Sequence, residues 1–528
     1  MADRLEAGGR GLFGGVFAKG EAETGDVAWL RAMLDVEAGL ARALERAGVA
    51  PSGSGAAVTA AAQVGSFRVD ELGELAALTG NPVPGLARAL ARLVPPPAAS
   101  AVHQGATSQD ILDTAAMLLA RRVTGAVLGD LAAAAEAAAA LASEHRSTIM
   151  IGRTLLQQAL PVTFGLVAAG WLAGLDEARE GLAVVRDRRL AVQFGGAAGT
   201  LASLGDGGPR VAALLAEELG LALPVLPWHT NRLRIIDLAT ALARVTAVLG
   251  KIARDVTLLA QSEVGEVSEG GGLRGTAAVP AATAGPAATA GPAAPAGPAA
   301  PATPAAQGGP ARPGGTATRA GSSPPNGSAD HGPAATARRG GSSAMPHKHN
   351  PVAAVAILGC ARQVPGLLAT LVACAEQEQQ RAAGAWHAEW EPLAGLMRLT
   401  GSAAAWAAEL LPGLVVDAPR MAANLAASKD LPLAEHVTSL LAGVLGGAQA
   451  YDLVAEAAQR AVSAGLPLRD VLLAVPKLEG RLASAGVTAE QVESALEPSG
   501  YLGASDAFIT AALAAHESLA LAGGQPGY

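Results

Sequence analysis

Cysteine is nearly missing from this chain of 528 residues, with Cys360 and Cys374 the only two. That scarcity leaves no disulfide framework to expect and suits a reducing compartment. Both cysteines sit in helical sequence and read as small buried residues; without a Cys/His cluster they do not suggest a metal site. Aromatic residues make up only 3% of the chain, while half of it is hydrophobic and dominated by alanine and glycine. Small side chains in that proportion favour closely packed helices over a sheet-rich core. Segments of strand-like alternation are scarce too. Long basic runs are lacking, and the net charge of −8 is spread along the chain, which argues against nucleic acid or an anionic membrane as partner. The start, Met1-Ala-Asp-Arg-Leu-Glu6, has no apolar signal core, so a cytoplasmic protein is expected.

Helical periodicity is what the chain does have. From Val27 to Gly48, the residues Trp29, Met33, Val36, Leu40 and Leu44 recur at helical spacing. Similar patterns predict helices over about 110–144, 155–192 and 232–266, and a further group over 352–411. The uncharged run from Thr154 to Leu175 is long enough to cross a bilayer. It holds Gln157, Gln158 and Pro161, so a helix buried inside a large bundle is expected instead, with no membrane partner. Shorter patterns over 433–443, 451–465 and 468–473 predict a small helical unit beyond a boundary near 421–431. The fold class is therefore all-α, with helices long enough for an extended bundle.

The stretch from Gly270 to about Ala337 differs. Pro280, Pro286, Pro292, Pro298 and Pro304 recur at a fixed interval within units such as Ala-Ala-Thr-Ala-Gly-Pro. It has no aromatic residue and few large aliphatic ones. Such a segment cannot bury enough apolar surface to offset the entropy of ordering, and a disordered insertion over about 270–337 is expected.

Three segments carry chemistry. Gly341-Ser342-Ser343-Ala344-Met345-Pro346-His347-Lys348-His349-Asn350-Pro351 gathers hydroxyls, a cation and an amide behind a flexible glycine pair. Lysine and asparagine are types that clamp a carboxylate, and a serine beside them can move a proton or attack. His347 and His349 flank Lys348, but a zinc site needs a third ligand and no recognisable motif supplies one; neither a metal nor another cofactor is expected. The second segment is His103-Gln-Gly-Ala-Thr107-Ser108-Gln109-Asp110, and the third is Gly152-Arg153-Thr154-Leu155-Leu156-Gln157-Gln158.

Together these segments resemble the three signature regions of the fumarase/aspartase superfamily, over nearly the whole chain outside the insertion. The resemblance implies a three-domain fold: an N-terminal helical domain over 1–109, a central long-helix bundle over 110–424 carrying the insertion, and a C-terminal helical domain over 425–528. It also implies a homotetramer in which each active site draws its signature regions from three subunits. Members usually eliminate fumarate, with a loop serine removing a proton beside a carboxylate. Many of those lyases use a histidine in the second signature region, paired with a glutamate after the loop, to serve the leaving group. Here those positions hold Leu155 and Val355, so the chemistry implied is one that needs no such relay.

A carboxylate leaving group fits, because its conjugate acid has a pKa of about 4 and it departs or attacks unassisted. The implied branch interconverts a tricarboxylate, 3-carboxy-cis,cis-muconate, and its lactone in protocatechuate breakdown. Gly384-Ala-Trp386-His387-Ala-Glu389-Trp390 and Gly500-Tyr501-Leu-Gly503 resemble that branch as well. By the same resemblance Ser342 moves the proton, with His103 as a second catalytic or carboxylate-binding residue; a structural hydrogen bond is its other reading. Thr107, Ser108, Gln109, Arg153, Thr154, Gln157, Ser343, Lys348 and Asn350 would bind substrate. The alternatives are an adenylosuccinate-lyase-like enzyme and a non-catalytic scaffold using the Pro/Ala/Gly arm.

Overall fold

The computed structural model describes residues 12–20, 24–270, 340–341, 345, 348–474, 476–484 and 486–523. The insertion expected over about 270–337 therefore lies almost entirely outside the described residues, as do Ser342, Ser343 and His347.

Helix α1 (Asp26–Arg46) is amphipathic and buries Leu30, Met33, Leu34, Leu40 and Leu44. Five further helices form the bundle it packs on. They are α2 (Ser108–Glu144), α3 (Phe164–Arg188), α4 (Leu233–Leu259), α5 (Val352–Ala373) and α6 (Trp390–Leu410). The second half of α2 is nearly continuous alanine and leucine, the strongest helix formers. Its small side chains let α3 and α6 lie close along it. Thr163 starts α3 by accepting a hydrogen bond from the Leu166 amide at 3.1 Å, and Arg186 and Arg188 sit at its negative C-terminal end.

Between α2 and α3 the expected helix is replaced by a hairpin. Strands β1 (Ile149–Thr154) and β2 (Gln157–Thr163) pair antiparallel. The run from Thr154 to Leu175 is thus part strand and part helix, and α3 begins only at Phe164. Pro161 and the β-branched residues Val162 and Thr163 oppose a helix there, and the apolar composition concealed the break. Gly152 lies at the register shift between Ile151 and Arg153. A side chain there would stand 2.5 Å from the Leu160 carbonyl oxygen.

A second short pairing, β3 (Val267–Glu269) with β4 (Leu414–Val416), ties the segment after α4 to the segment after α6. It also fixes the start of α5. The Glu269 carboxylate accepts from the Ala353 amide at 3.1 Å and the Ala354 amide at 2.9 Å, capping that helix from a distance in sequence.

One core runs through α1 and the bundle alike, so residues before 109 share their core with the central domain. A separate core draws on Leu433, Val437, Leu453, Leu468, Leu472 and Leu496. The last helix, Ser505–Gly523, leaves that unit. Ile509 joins the main core, and Arg146 holds Asp506 at 2.9 Å. The C-terminal unit expected over 425–528 therefore gives its final helix to the bundle, an apolar pattern that sequence could not assign to one core rather than another.

Gly270 and Gly340 are both held near the start of α5, Gly270 through Gly413 and Gly340 through the Asn350 amide at 2.8 Å. Deleting residues 275–337 should therefore leave these anchors intact. The expected result is an unchanged thermal midpoint and retained activity, measured side by side with the full chain; a folded but inactive deletion variant would contradict it.

Candidate active site

The first signature region opens α2. Thr107 has extended backbone and precedes the first helical residue, Ser108. Its amide donates to Asp110 Oδ2 at 3.0 Å. Asp110 is buried and accepts further from the amides of Gly195 (3.1 Å) and Gly196 (2.8 Å) and from His229 Nε2 at 2.6 Å. One carboxylate thus fixes the helix start, the 193–196 loop and His229 together. Thr107 and Ser108 remain half-buried at the positive end of a long helix, where hydroxyls and amides suit a carboxylate.

Gln109 has a different position. It is buried, and its Nε2 donates to Asp113 (3.1 Å) and to the His229 carbonyl (2.8 Å). Those bonds brace its amide nitrogen beneath the site, while its Oε1 has no hydrogen-bond partner among the described residues.

Beneath lies a second buried layer. Arg232 donates to Asp113 at 2.7 and 3.0 Å and to Glu389 at 2.5 Å. Trp386 Nε1 donates to Asp113 at 3.0 Å, and Gln377 to Glu389 at 2.9 Å. Burial works against charge on Arg232, but the two carboxylates outweigh it and raise its pKa. Burial also raises the Glu389 pKa, with Arg232 opposing. The Trp386–Trp390 stretch singled out in the sequence thus supports the first region from below. Arg381 sits on the same side, donating to the Gly196 carbonyl at 2.5 Å. Its burial lowers its pKa, while Asp110 and Asp113 pull the other way.

His103 stands just before this helix start. Its Nδ1 lies 2.8 Å from Glu37 Oε1, and its amide donates to Glu37 Oε2 at 2.9 Å. Asp113, His229, Arg232, Glu37 and Arg381 were not anticipated as part of this end of the molecule. A readable signal existed for one pair: Asp110 and Asp113 fall one turn apart in an otherwise apolar helix start, so both must be partnered.

The other two regions lie at the far end of the bundle. In the hairpin, Leu155 and Leu156 form the turn with φ of 51° and 64°, a left-handed conformation leucine rarely takes. Leu155 is 95% exposed and Leu156 73%. Thr154 and Gln157 flank them and are exposed. Arg153 is instead engaged, donating to both oxygens of buried Glu266 at 2.8 and 2.7 Å. Glu266 lies three residues before Glu269, the cap of α5, so the hairpin and the loop ahead of α5 share one end. In that loop Gly341 bridges His349, and Lys348 and Asn350 are exposed. Val355, one turn into α5, is also exposed.

Helix α2 has 37 residues, which is about 55 Å of length. The first region sits at its start and the hairpin follows its end. Within one chain Thr107 and Ser108 therefore stand a bundle length from Arg153, Thr154 and Gln157, and the structure does not bring the three regions together.

Residues 21–270 match the family model described as Lyase. The chain is 40% identical to the 3-carboxy-cis,cis-muconate cycloisomerase of Bradyrhizobium diazoefficiens, over 92% of this chain and 93% of that one. It is 39% identical to the nitrosuccinate lyase of Streptomyces davaonensis, over 93% of this chain and 92% of that one. Among solved structures, the 3-carboxy-cis,cis-muconate lactonizing enzyme of Pseudomonas putida superposes with a TM-score of 0.77 at 35% identity, covering 96% of this chain and 99% of that one.

Replacing Arg232 by leucine would leave Asp113 and Glu389 buried without their neutralising cation. A loss of about 3–5 kcal/mol is expected in urea unfolding at fixed protein concentration. The loss should shrink as pH falls. Burial already raises the Glu389 pKa, and without Arg232 that carboxyl takes up a proton more readily folded than unfolded, so its destabilising effect is absent at low pH and grows as pH rises from the ordinary glutamate range through the raised value.

Proposed function

The chain belongs to the lyase family within the fumarase/aspartase superfamily, and from that premise we propose that it is an enzyme interconverting 3-carboxy-cis,cis-muconate and its lactone. The observation that carries the reading is the pair Leu155 and Val355, apolar side chains where many of the superfamily's lyases hold an acid relay. A chain without that relay needs a reacting group that is weakly basic. An internal carboxylate is such a group, and the similarity to two cycloisomerases agrees with it.

In the forward direction one substrate carboxylate adds across a carbon–carbon double bond of the same molecule. A carbon–oxygen bond forms, and the electron pair of the double bond moves to the carbon beside another carboxylate. Lys348, Asn350, Thr107 and Ser108 hold that enolate-like charge and the remaining carboxylates. Ser342 delivers the proton to carbon, and in reverse removes it; nearby Lys348 favours its alkoxide. Since the substrate folds on itself, fixing its conformation supplies much of the rate. Ser343, Arg153, Thr154 and Gln157 complete the carboxylate and loop contacts, with Arg153 acting in company with Glu266.

The active form is a homotetramer whose sites are assembled between subunits. The separation of Thr107 and Ser108 from the hairpin along α2 supports this, as do the exposed apolar residues Leu155, Leu156, Val355 and Val372. Helices α2 and α5 are long and apolar enough to cross a membrane by length and composition, and packing against other copies accounts for that composition. The enzyme works in the cytoplasm, in the β-ketoadipate route of protocatechuate breakdown.

A second reading deserves a parallel assay. Nitrite is also the anion of a moderately strong acid and leaves without help, so the missing relay suits elimination from nitrosuccinate, the substrate in the name of a 39% identical relative. The purified protein with 3-carboxymuconate is expected to bleach the conjugated-diene absorbance, and Ser342→Ala to lower kcat at least about a hundredfold. Full turnover by that variant would refute the serine's role. Nitrite release from nitrosuccinate without diene bleaching would move the assignment to the second reading, and cleavage of adenylosuccinate would overturn both.

A further inference from the structure

Glu37 is a carboxylate with no solvent exposure on α1, in a helix whose other buried residues are apolar or glycine. A charge in that position is tolerated only when paired and hydrogen-bonded. Both of its oxygens go to a single residue. Oε1 lies 2.8 Å from His103 Nδ1, and Oε2 accepts the His103 amide at 2.9 Å. His103 has φ of 59°, a left-handed conformation uncommon outside glycine, though histidine takes it more readily than most residues. One acid therefore fixes both the backbone and the ring of this histidine.

The pairing has a direction. Glu37 engages Nδ1, which leaves Nε2 for another partner. None of the described residues bonds it, and 25% of the side chain stays exposed. Four positions on, Thr107 and Ser108 begin α2 and present their hydroxyls at the same end of the bundle.

We propose that Glu37 is a positioning residue of the lactone-forming site, holding His103 so that Nε2 donates a hydrogen bond to a substrate carboxylate. The identity of the substrate rests on the reading above; the coupling of Glu37 to His103 does not. The charged groups acting on the ring are Glu37 from α1 and Asp110 from α2. Burial opposes the imidazolium, but the Glu37 bond and charge, with Asp110 behind them, outweigh it and raise its pKa. A raised pKa keeps His103 cationic to higher pH, so binding through Nε2–H persists there and fades as pH rises through that value.

A purely structural Glu37 would pin the 102–107 turn to α1 and do nothing more. A cycle of wild type, Glu37→Gln, His103→Asn and the double variant separates the two cases. With 3-carboxymuconate across about pH 6–9, the alkaline fall of kcat/KM should move to lower pH in Glu37→Gln. Each unit of that shift removes roughly tenfold of the cationic form on the alkaline side, and the loss should appear mainly in KM. In the His103→Asn background, Glu37→Gln should lower kcat/KM no further. An unmoved alkaline limb, or losses that add in the double variant, would overturn the proposal.

The ring can also be followed without substrate. With isotope-labelled histidine, the His103 signal, identified by its loss in His103→Asn, should titrate above the ordinary histidine range in the wild type. Titration at or below that range overturns the proposal even if Glu37→Gln does not fold. A raised pKa in a protein that does not turn over 3-carboxymuconate would leave the pairing standing and place the error in the substrate.

Discussion

The Asp110 carboxylate is the point on which the first signature region depends. It is buried at the positive end of a 37-residue helix and is surrounded by donors: the Thr107, Gly195 and Gly196 amides and His229. Removing an acid from water is costly, and each of those bonds offsets part of the cost. The consequence is geometric. Because Asp110 meets all of them at once, Thr107 and Ser108 cannot shift relative to the 193–196 loop without breaking buried bonds. Arg232, Asp113 and Glu389 form a second layer with the same logic, and Trp386 and Gln377 complete it. The pair of hydroxyls proposed to meet substrate is thereby held by a buried network beneath it.

The opposite end of the bundle is organised by different means. Glu266 and Glu269 lie on or beside one short strand, yet one carboxylate holds Arg153 of the hairpin and the other caps α5. The two glutamates couple the hairpin to the start of the helix that follows the serine loop. What they leave outside is apolar: Leu155 and Leu156 in a left-handed turn, and Val355 on the helix. Water is a poor environment for such a surface, and a strained turn persists where its surroundings require it. A facing subunit would meet both conditions. Helix α2 separates the two ends by about 55 Å, and on the proposed reading that length sets the distance between half-sites completed by a second chain.

Much of this was legible in sequence. The helices near 27–48, 110–144 and 232–266 follow from apolar spacing; the first two match their observed bounds within two residues, while the third stops at Leu259. The signature regions located the two ends of the bundle. What failed did so for a physical reason. The hairpin at 149–163 was hidden because its composition is as apolar as a buried helix and too short for alternation to decide. Gln109 matched a motif, but its bonds to Asp113 one turn on and to the His229 carbonyl far away in the chain were not readable there. Glu37 and Arg232 were invisible for the same cause: a lone charge in an amphipathic pattern reads as surface until its partner is known. The buried polar network is a property of the assembled fold.

The missing relay bears on how the reaction can run. An acid in the site would protonate a basic leaving group, but it would also compete for the proton that a loop serine must place on carbon. With Leu155 and Val355 at those positions, no imidazole or carboxyl stands at the relay, and the departing or attacking oxyanion must carry its own stability. On the proposed reading amines fit poorly as leaving groups, since an amine anion is far too basic to depart unprotonated. That reading admits carboxylate and nitrite alike. Discrimination between those two must therefore come from the groups that count carboxylates. A tricarboxylate needs one more anion contact than a nitro-dicarboxylate, and under the proposed role the Nε2 edge of His103, held by Glu37, would supply it.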